Sequence, residues 1–128
     1  MPAWNDYKAE AKSRGALALE LFVVHSVPTA EPEVLKANLP AHLAYQGEQE
    51  AKGNLVLAGP VSDETGELMQ GMGMIIYRAE SLAAATELAE NDPMHKAGAR
   101  SFSIRKWLVN EGSLNVSIGL SGKTVSLS

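Results

Sequence analysis

The order of the predicted secondary-structure elements constrains the fold of this chain more than any single motif does. Apolar side chains alternate along some segments, as in strands, and recur at helical spacing along others. The predicted order is strand, helix, strand, strand, helix, strand, over residues 17–27, 31–52, 54–61, 72–79, 82–90 and 101–109. This order is that of the split βαβ, ferredoxin-like α+β fold. We therefore predict a four-stranded antiparallel sheet in the order 4-1-3-2, with both helices on one face.

Capping and breaking residues set the predicted ends of the two core helices. Pro32 suits the first turn of the first helix, and Gly53 suits the left-handed position after its end. Pro40 is expected to kink that helix or to start it afresh, because it donates no backbone hydrogen bond. Ser81 is a good N-cap for the second helix.

We predict a single domain over residues 1–128, with a core of about residues 17–109 that is flanked by two extensions. Residues 1–16 predict a short polar helix. Residues 113–128 predict a β-hairpin around Ser121 and Gly122, because apolar and polar side chains alternate on both sides of that pair. An isolated two-stranded hairpin is marginal in water, so we expect this one to extend a sheet or to bridge subunits.

Composition excludes several classes of function. The net charge is −4 and the basic residues are scattered, which argues against nucleic acid or an anionic membrane as the main partner. Cysteine is absent, so disulfide and thiolate chemistry are excluded. The chain has no apolar stretch near the ~20 residues that a membrane span needs. A signal-like layout near the N-terminus is interrupted by Glu20, and we expect a cytoplasmic protein.

Four segments carry a resemblance to a known family. They are PAHLAY (40–45), GNLVLAGP (53–60), ESLAAATELAENDP (80–93) and KAGA (96–99). In order and spacing, over about residues 19–109, they resemble the YCII-related family. The resemblance implies a ferredoxin-like domain that pairs as a dimeric α+β barrel. It also implies an active site on the family's histidine and aspartate, which fall on His42 and Asp92. A chlorohydroxyhydroquinone dehydrochlorinase and the muconolactone isomerases are the relatives that suggest an activity.

The chain departs from the family pattern at several positions. Leu39 stands where the family usually has an arginine, and Met94 stands where an aromatic residue is common after Asp-Pro. Gln46 and Gln49 replace apolar residues along the first helix, which indicates a less buried helix or one that faces a polar cleft. The missing arginine weakens the expectation of an anionic substrate.

Residues Asp92 and His42 each have a structural and a chemical interpretation. Asp92 precedes a proline and can cap a short helical turn without any chemistry. His42 precedes Leu43, which should point at the sheet, so the imidazole is expected at the edge of the buried stripe; it is either a proton-transfer group or a half-buried, hydrogen-bonded histidine. If the helices start level, a 1.5 Å rise per residue places both side chains at similar heights, about 15 Å along.

Other candidate site residues follow from position. Tyr45 lies one turn beyond His42 and supplies a phenol, while Ser62 and Asp63 begin the polar loop 62–71; we expect all three to contact a substrate. His95 is expected to face solvent. Three dispersed histidines without cysteine predict no metal site, and no cofactor motif is present.

Two classes of function remain open from the sequence. The first is a small cofactor-independent acid/base enzyme, of lyase or isomerase type, acting on a cyclic or aromatic metabolite through His42 and Asp92. The second is a non-catalytic ligand-binding or assembly domain in which both residues are structural. In either case a homodimer or higher homo-oligomer is expected, since an apolar sheet face should be covered.

Overall fold

A computed structural model describes all residues from Met1 to Ser128. The chain forms two compact units. One unit comprises Glu20–Trp107 and holds most of the core elements, and the other comprises Met1–Leu19 together with Leu108–Ser128. No helix is both long enough and apolar enough to cross a membrane.

The chain forms four helices and six strands. In chain order they are α1 (Trp4–Ser13), β1 (Leu19–Pro28), α2 (Pro32–Ala51), β2 (Leu55–Ser62), β3 (Met69–Tyr77), α3 (Leu82–Glu90), α4 (Pro93–Lys96), β4 (Arg100–Val109), β5 (Val116–Gly119) and β6 (Thr124–Leu127). The predicted βαββαβ order is confirmed, with α4 as an additional single turn between α3 and β4.

The main sheet has the strand order β2-β3-β1-β4. Strand β3 pairs antiparallel with both β1 and β2, and its register with β1 places Phe22 opposite Tyr77 and Val24 opposite Ile75. The predicted order 4-1-3-2 and the ferredoxin-like α+β class are therefore confirmed.

The main core lies on the helix-facing side of this sheet. Val24, Ile75 and Tyr77 are buried there against Ala89 of α3, with Phe102 among the partly buried side chains around them. Because side chains alternate across a strand, the neighbouring residues face the other way. On that opposite face Leu57 is 61% exposed and Trp107 is 41% exposed.

Helix α2 runs without interruption through Pro40. Of the two alternatives expected at Pro40, a kink or a fresh start, the fresh start is therefore wrong, and His42 lies in one continuous helix. Leu43 was expected to point at the sheet, but it is 56% exposed. Gln49 is instead the buried residue of this helix, and its side-chain oxygen accepts a 2.8 Å hydrogen bond from Asn54.

The second unit has its own small cluster and the predicted hairpin. Ala11, Ala18 and Leu108 are buried together beside Trp4. Strands β5 and β6 pair antiparallel, which confirms the C-terminal hairpin. Its register puts four apolar side chains on one face, all of them more than half exposed: Val116, Ile118, Val125 and Leu127.

Candidate functional site

His42 and Asp92 lie side by side. The His42 Nδ1 atom is 2.8 Å from Asp92 Oδ1 and 2.9 Å from Oδ2. The carboxylate is 0% exposed and the imidazole 17% exposed. A carboxylate only accepts hydrogen bonds, so Nδ1 carries the proton and donates it. Neutral His42 therefore keeps its lone pair on Nε2, the tautomer that a general base requires.

The local sequence explains why Asp92 is held so firmly. Helix α3 ends at Glu90, and Asp92 is the N-cap of α4, with Pro93 in the first turn. Its Oδ1 atom accepts a 3.0 Å hydrogen bond from the Met94 backbone N–H. The structural and the chemical interpretations of Asp92 are thus both met, because one carboxylate caps the turn and binds the imidazole.

A cavity of about 420 Å³ lies beside His42. Its volume is within the range of small-molecule sites, and its lining is mainly apolar with a few polar groups. Helix α2 contributes Leu39, His42, Leu43 and Gln46, and the strands and α4 contribute the rest: Ser26, Ala58, Gly59, Pro60, Met69, Gly71, Met72, Gly73, Met74, Ile75, Met94 and Arg100.

The three residues expected to contact a substrate do not line this cavity. The Tyr45 hydroxyl donates a 2.8 Å hydrogen bond to the Leu88 carbonyl, and burial raises the pKa of the phenol. Ser62 is the exposed last residue of β2, and Asp63 begins the turn that leads to β3. There, hydrogen bonds from the Thr65 hydroxyl and from backbone N–H groups lower the Asp63 pKa. The Tyr45 hydrogen bond connects α2 to α3, and the hydrogen bonds of Asp63 stabilise the turn after β2.

Arg100 and Ser26 are polar cavity residues that were not predicted from the sequence. Arg100 begins β4, and its Nε donates a 2.8 Å hydrogen bond to Ser26 Oγ. Its Nη2 donates to the Ser26 carbonyl at 2.8 Å and to the Gly71 carbonyl. The positive charge at the cavity therefore comes from Arg100 of β4, whereas α2 contributes the apolar Leu39.

The expectation that His95 faces solvent is wrong. Its ring packs on Phe102 with centroids 4.7 Å apart, and Nδ1 donates a 2.7 Å hydrogen bond to the Ala89 carbonyl. Nε2 lies 2.7 Å from Ser26 Oγ. Burial lowers the pKa of His95, which favours the neutral ring. In that form Ser26 donates to Nε2 while it accepts from Arg100.

The structure contains no cluster of three or more His, Cys, Asp or Glu residues that could hold a metal ion. The polar side chains at the cavity are the His42 imidazole with the Asp92 carboxylate behind it, the Arg100 guanidinium, the Ser26 hydroxyl and the Gln46 amide.

Comparison with known proteins agrees with this ferredoxin-like class of α+β domain. The YCII-related domain matches residues 18–108, and the chain belongs to that family. A solved structure of 5-chloro-2-hydroxyhydroquinone dehydrochlorinase from Burkholderia phenoliruptrix, in complex with 2,5-dihydroxybenzoquinone, is similar to it. The two share 28% sequence identity with a TM-score of 0.54, over 68% of this chain and 92% of that chain. No sequence among the curated proteins matches significantly.

Proposed function

We propose that the protein catalyses cofactor-independent proton transfer, of lyase or isomerase type, on a cyclic or aromatic hydroxylated metabolite. His42 is the general base and Asp92 orients it. The observation that carries this proposal is the buried carboxylate bound to Nδ1 of an imidazole that lines the cavity. Such a carboxylate fixes the tautomer and stabilises the imidazolium that forms when Nε2 takes a proton.

The similar dehydrochlorinase supports the substrate class. Its substrate is a chlorinated hydroxyhydroquinone, and its solved complex holds a dihydroxylated quinone ring. A cavity of about 420 Å³ has room for a single ring of this kind. Its many apolar groups, including Leu39, Leu43 and Met94, offer surface for the ring.

The chemistry that we propose is redox-neutral. In a dehydrochlorination the ring loses HCl: Nε2 of His42 removes a proton from the ring system, and chloride leaves with the electron pair of the C–Cl bond. His42 then releases the proton to water and returns to its starting tautomer. In an isomerisation the same nitrogen returns the proton to another ring atom. Neither reaction needs an external oxidant or reductant.

The test uses 5-chloro-2-hydroxyhydroquinone under anaerobic conditions, with chloride release as the readout. We expect His42→Asn to reduce the rate by about 10²–10⁴-fold, as loss of a general base does. His25→Asn is the matched control, because His25 lies in β1 and does not line the cavity. Deuterium exchange of the ring hydrogens of 2,5-dihydroxybenzoquinone provides a second readout for isomerase-type proton transfer.

The result that contradicts the proposal is equally definite. If the wild-type protein neither releases chloride nor accelerates ring-hydrogen exchange over buffer, it does not transfer protons on rings of this class. A wild-type rate that survives His42→Asn would also contradict the role of His42. In the first case the ligand-binding alternative is favoured.

We further propose that the protein is a homodimer formed through the sheet face opposite the main core. Leu57 and Trp107 lie on that face and are among the exposed large hydrophobic residues. Leaving such a face in water is unfavourable by about 25 cal/mol for each Å² of apolar surface. A second copy presents the same face and covers it by two-fold symmetry.

A further inference from the structure

Arg100 is a partly buried cation without an acidic partner. Its three hydrogen bonds all go to neutral oxygens, those of Ser26 and Gly71. No carboxylate lies within ion-pair distance of its guanidinium. Asp92 acts on it electrostatically, but the oxygens of that carboxylate are bound to His42 and to the Met94 N–H. A charge removed from water in this way is costly unless an anion balances it.

The hydrogen bonds also fix which part of the guanidinium is free. Arginine has five N–H donors in a planar fork. Nε uses one donor, and Nη2 uses its two on the Ser26 and Gly71 carbonyls. Both N–H groups of Nη1 remain without a partner in the protein. Since Arg100 lines the cavity, these two donors are what it can offer to a ligand.

The surroundings hold the fork in one orientation. Ser26 is 3% exposed and is bound on its other side by His95, whose Nδ1 is anchored to the Ala89 carbonyl. This preorganisation is typical of a binding group rather than of a mobile surface charge.

We propose that Arg100 binds an ionised oxygen on the substrate ring, so that the protein takes its substrate as a phenolate or enolate rather than as a neutral phenol. This inference rests on the proposed function and narrows its substrate class. The anionic oxygen pairs with the Arg100 guanidinium at one side of the cavity. This contact orients the ring towards His42, which lines the same cavity. Charge-assisted bonds from a guanidinium to an oxyanion are among the strongest single polar contacts in proteins.

Binding of 4-nitrophenol tests this without turnover. The compound ionises near neutral pH, and only its anion is yellow, so absorbance reports the charge of the bound probe. At a pH held at the probe's own ionisation, we expect wild-type protein to bind the anion about tenfold more tightly than the phenol. That preference corresponds to lowering the probe's pKa by about one unit.

Variants test whether Arg100 causes the preference for the anion over the phenol. Arg100→Met should abolish it, and Arg100→Lys should retain part of it, because the charge remains and the fork does not. Arg105→Met is the matched control, since Arg105 lies on the same strand, is exposed and is not a cavity residue. His42→Asn should keep the preference. Thermal unfolding checks each variant, and Arg100→Gln, which retains an N–H₂ donor for the carbonyls, replaces Arg100→Met if that variant does not fold.

Four outcomes overturn the inference. Wild-type protein binds the neutral form as well as the anion, or it binds neither at millimolar probe. The neutral variant at Arg100 keeps the preference, or His42→Asn removes it. These failures are distinct from failure of the proposed function, which is read from chloride release and ring-hydrogen exchange and leaves anion binding untouched.

Discussion

Replacing Asp92 by asparagine should separate the two roles of this residue. Asparagine is as good an N-cap as aspartate, so the Met94 N–H keeps an acceptor at Oδ1. The second carboxylate oxygen, 2.9 Å from His42 Nδ1, becomes an N–H₂ group. The remaining oxygen, 2.8 Å from Nδ1, is shared with the Met94 N–H. Because the new N–H₂ group and the Nδ1–H repel each other, we expect the imidazole to move its proton to Nε2. The variant should therefore fold well and hold His42 in the tautomer that cannot accept a proton at Nε2.

The expected magnitudes follow from what each substitution removes. Asp92→Asn exchanges one charge-assisted hydrogen bond for a neutral one, at a cost of about 1 kcal/mol in unfolding free energy. Asp92→Ala also removes the cap, worth about 1 kcal/mol, and leaves the buried Met94 N–H without a partner. We expect about 2–4 kcal/mol for the alanine variant. Activity should fall by about 10³–10⁴-fold in Asp92→Asn, because a base held in the wrong tautomer is inactive. In Asp92→Ala no group fixes the tautomer or the orientation of the ring, so activity should fall there as well.

Two measurements check these values. Urea unfolding of wild type, Asp92→Asn and Asp92→Ala gives the order of stability. Nitrogen-15 chemical shifts of the His42 ring give the tautomer directly and need no substrate: wild type should show a protonated Nδ1, and Asp92→Asn a protonated Nε2. The reasoning is refuted if the asparagine variant is as unstable as the alanine variant, or if its His42 ring keeps the proton on Nδ1.

Three further predictions concern other parts of the chain. Burial lowers the His95 pKa below its unfolded value of about 6.5, so the unfolded chain binds more protons. The unfolding free energy should therefore fall as the pH drops through about 6.5, and it should fall less in His95→Gln. Urea titrations at several pH values would show this difference. Leu57→Glu should convert a dimer to monomers in light scattering, whereas a wild-type monomer at micromolar concentration would refute the dimer. Truncation after Glu111 removes the exposed apolar hairpin and should shift the mass towards smaller species; an unchanged oligomer would rule out its role in assembly.

The sequence predicts the fold and the pairing of His42 with Asp92 because both depend on strong local signals. Alternating and helical hydrophobic patterns identify the six core elements, and Asp92-Pro93 marks where α3 must end. The comparison of heights along the two helices also requires an uninterrupted α2, and α2 does run through Pro40 without a break. The roles of the two side chains in catalysis stay a prediction until the variants are measured.

The buried contacts of Arg100 and His95 could not be predicted from the sequence, because their partners are far away in the chain. Arg100 bonds to Ser26, 74 positions earlier, and to Gly71, 29 positions earlier. A single arginine before a strand is typical of a surface charge, and α4 is too short for periodicity to show which side of it is buried. The same limit applies to Leu43, whose spacing fits a buried helix face but whose side chain borders an open cavity.

Asp92 both caps a helical turn and binds the His42 imidazole, and this affects how sequences of this family should be compared. Folding alone retains a capping residue at this position, aspartate or asparagine, even in a lineage that has lost its chemistry, whereas only aspartate also accepts the proton of the imidazole with its second oxygen. The presence of a capping residue in a related chain therefore carries little information about activity. His42 is the more informative position, because its imidazole lines the cavity and, unlike the Asp92 carboxylate, caps no helix. A search for active relatives should rank chains by the histidine and the cavity arginine, and give little weight to a capping residue at the position of Asp92 unless it is an aspartate.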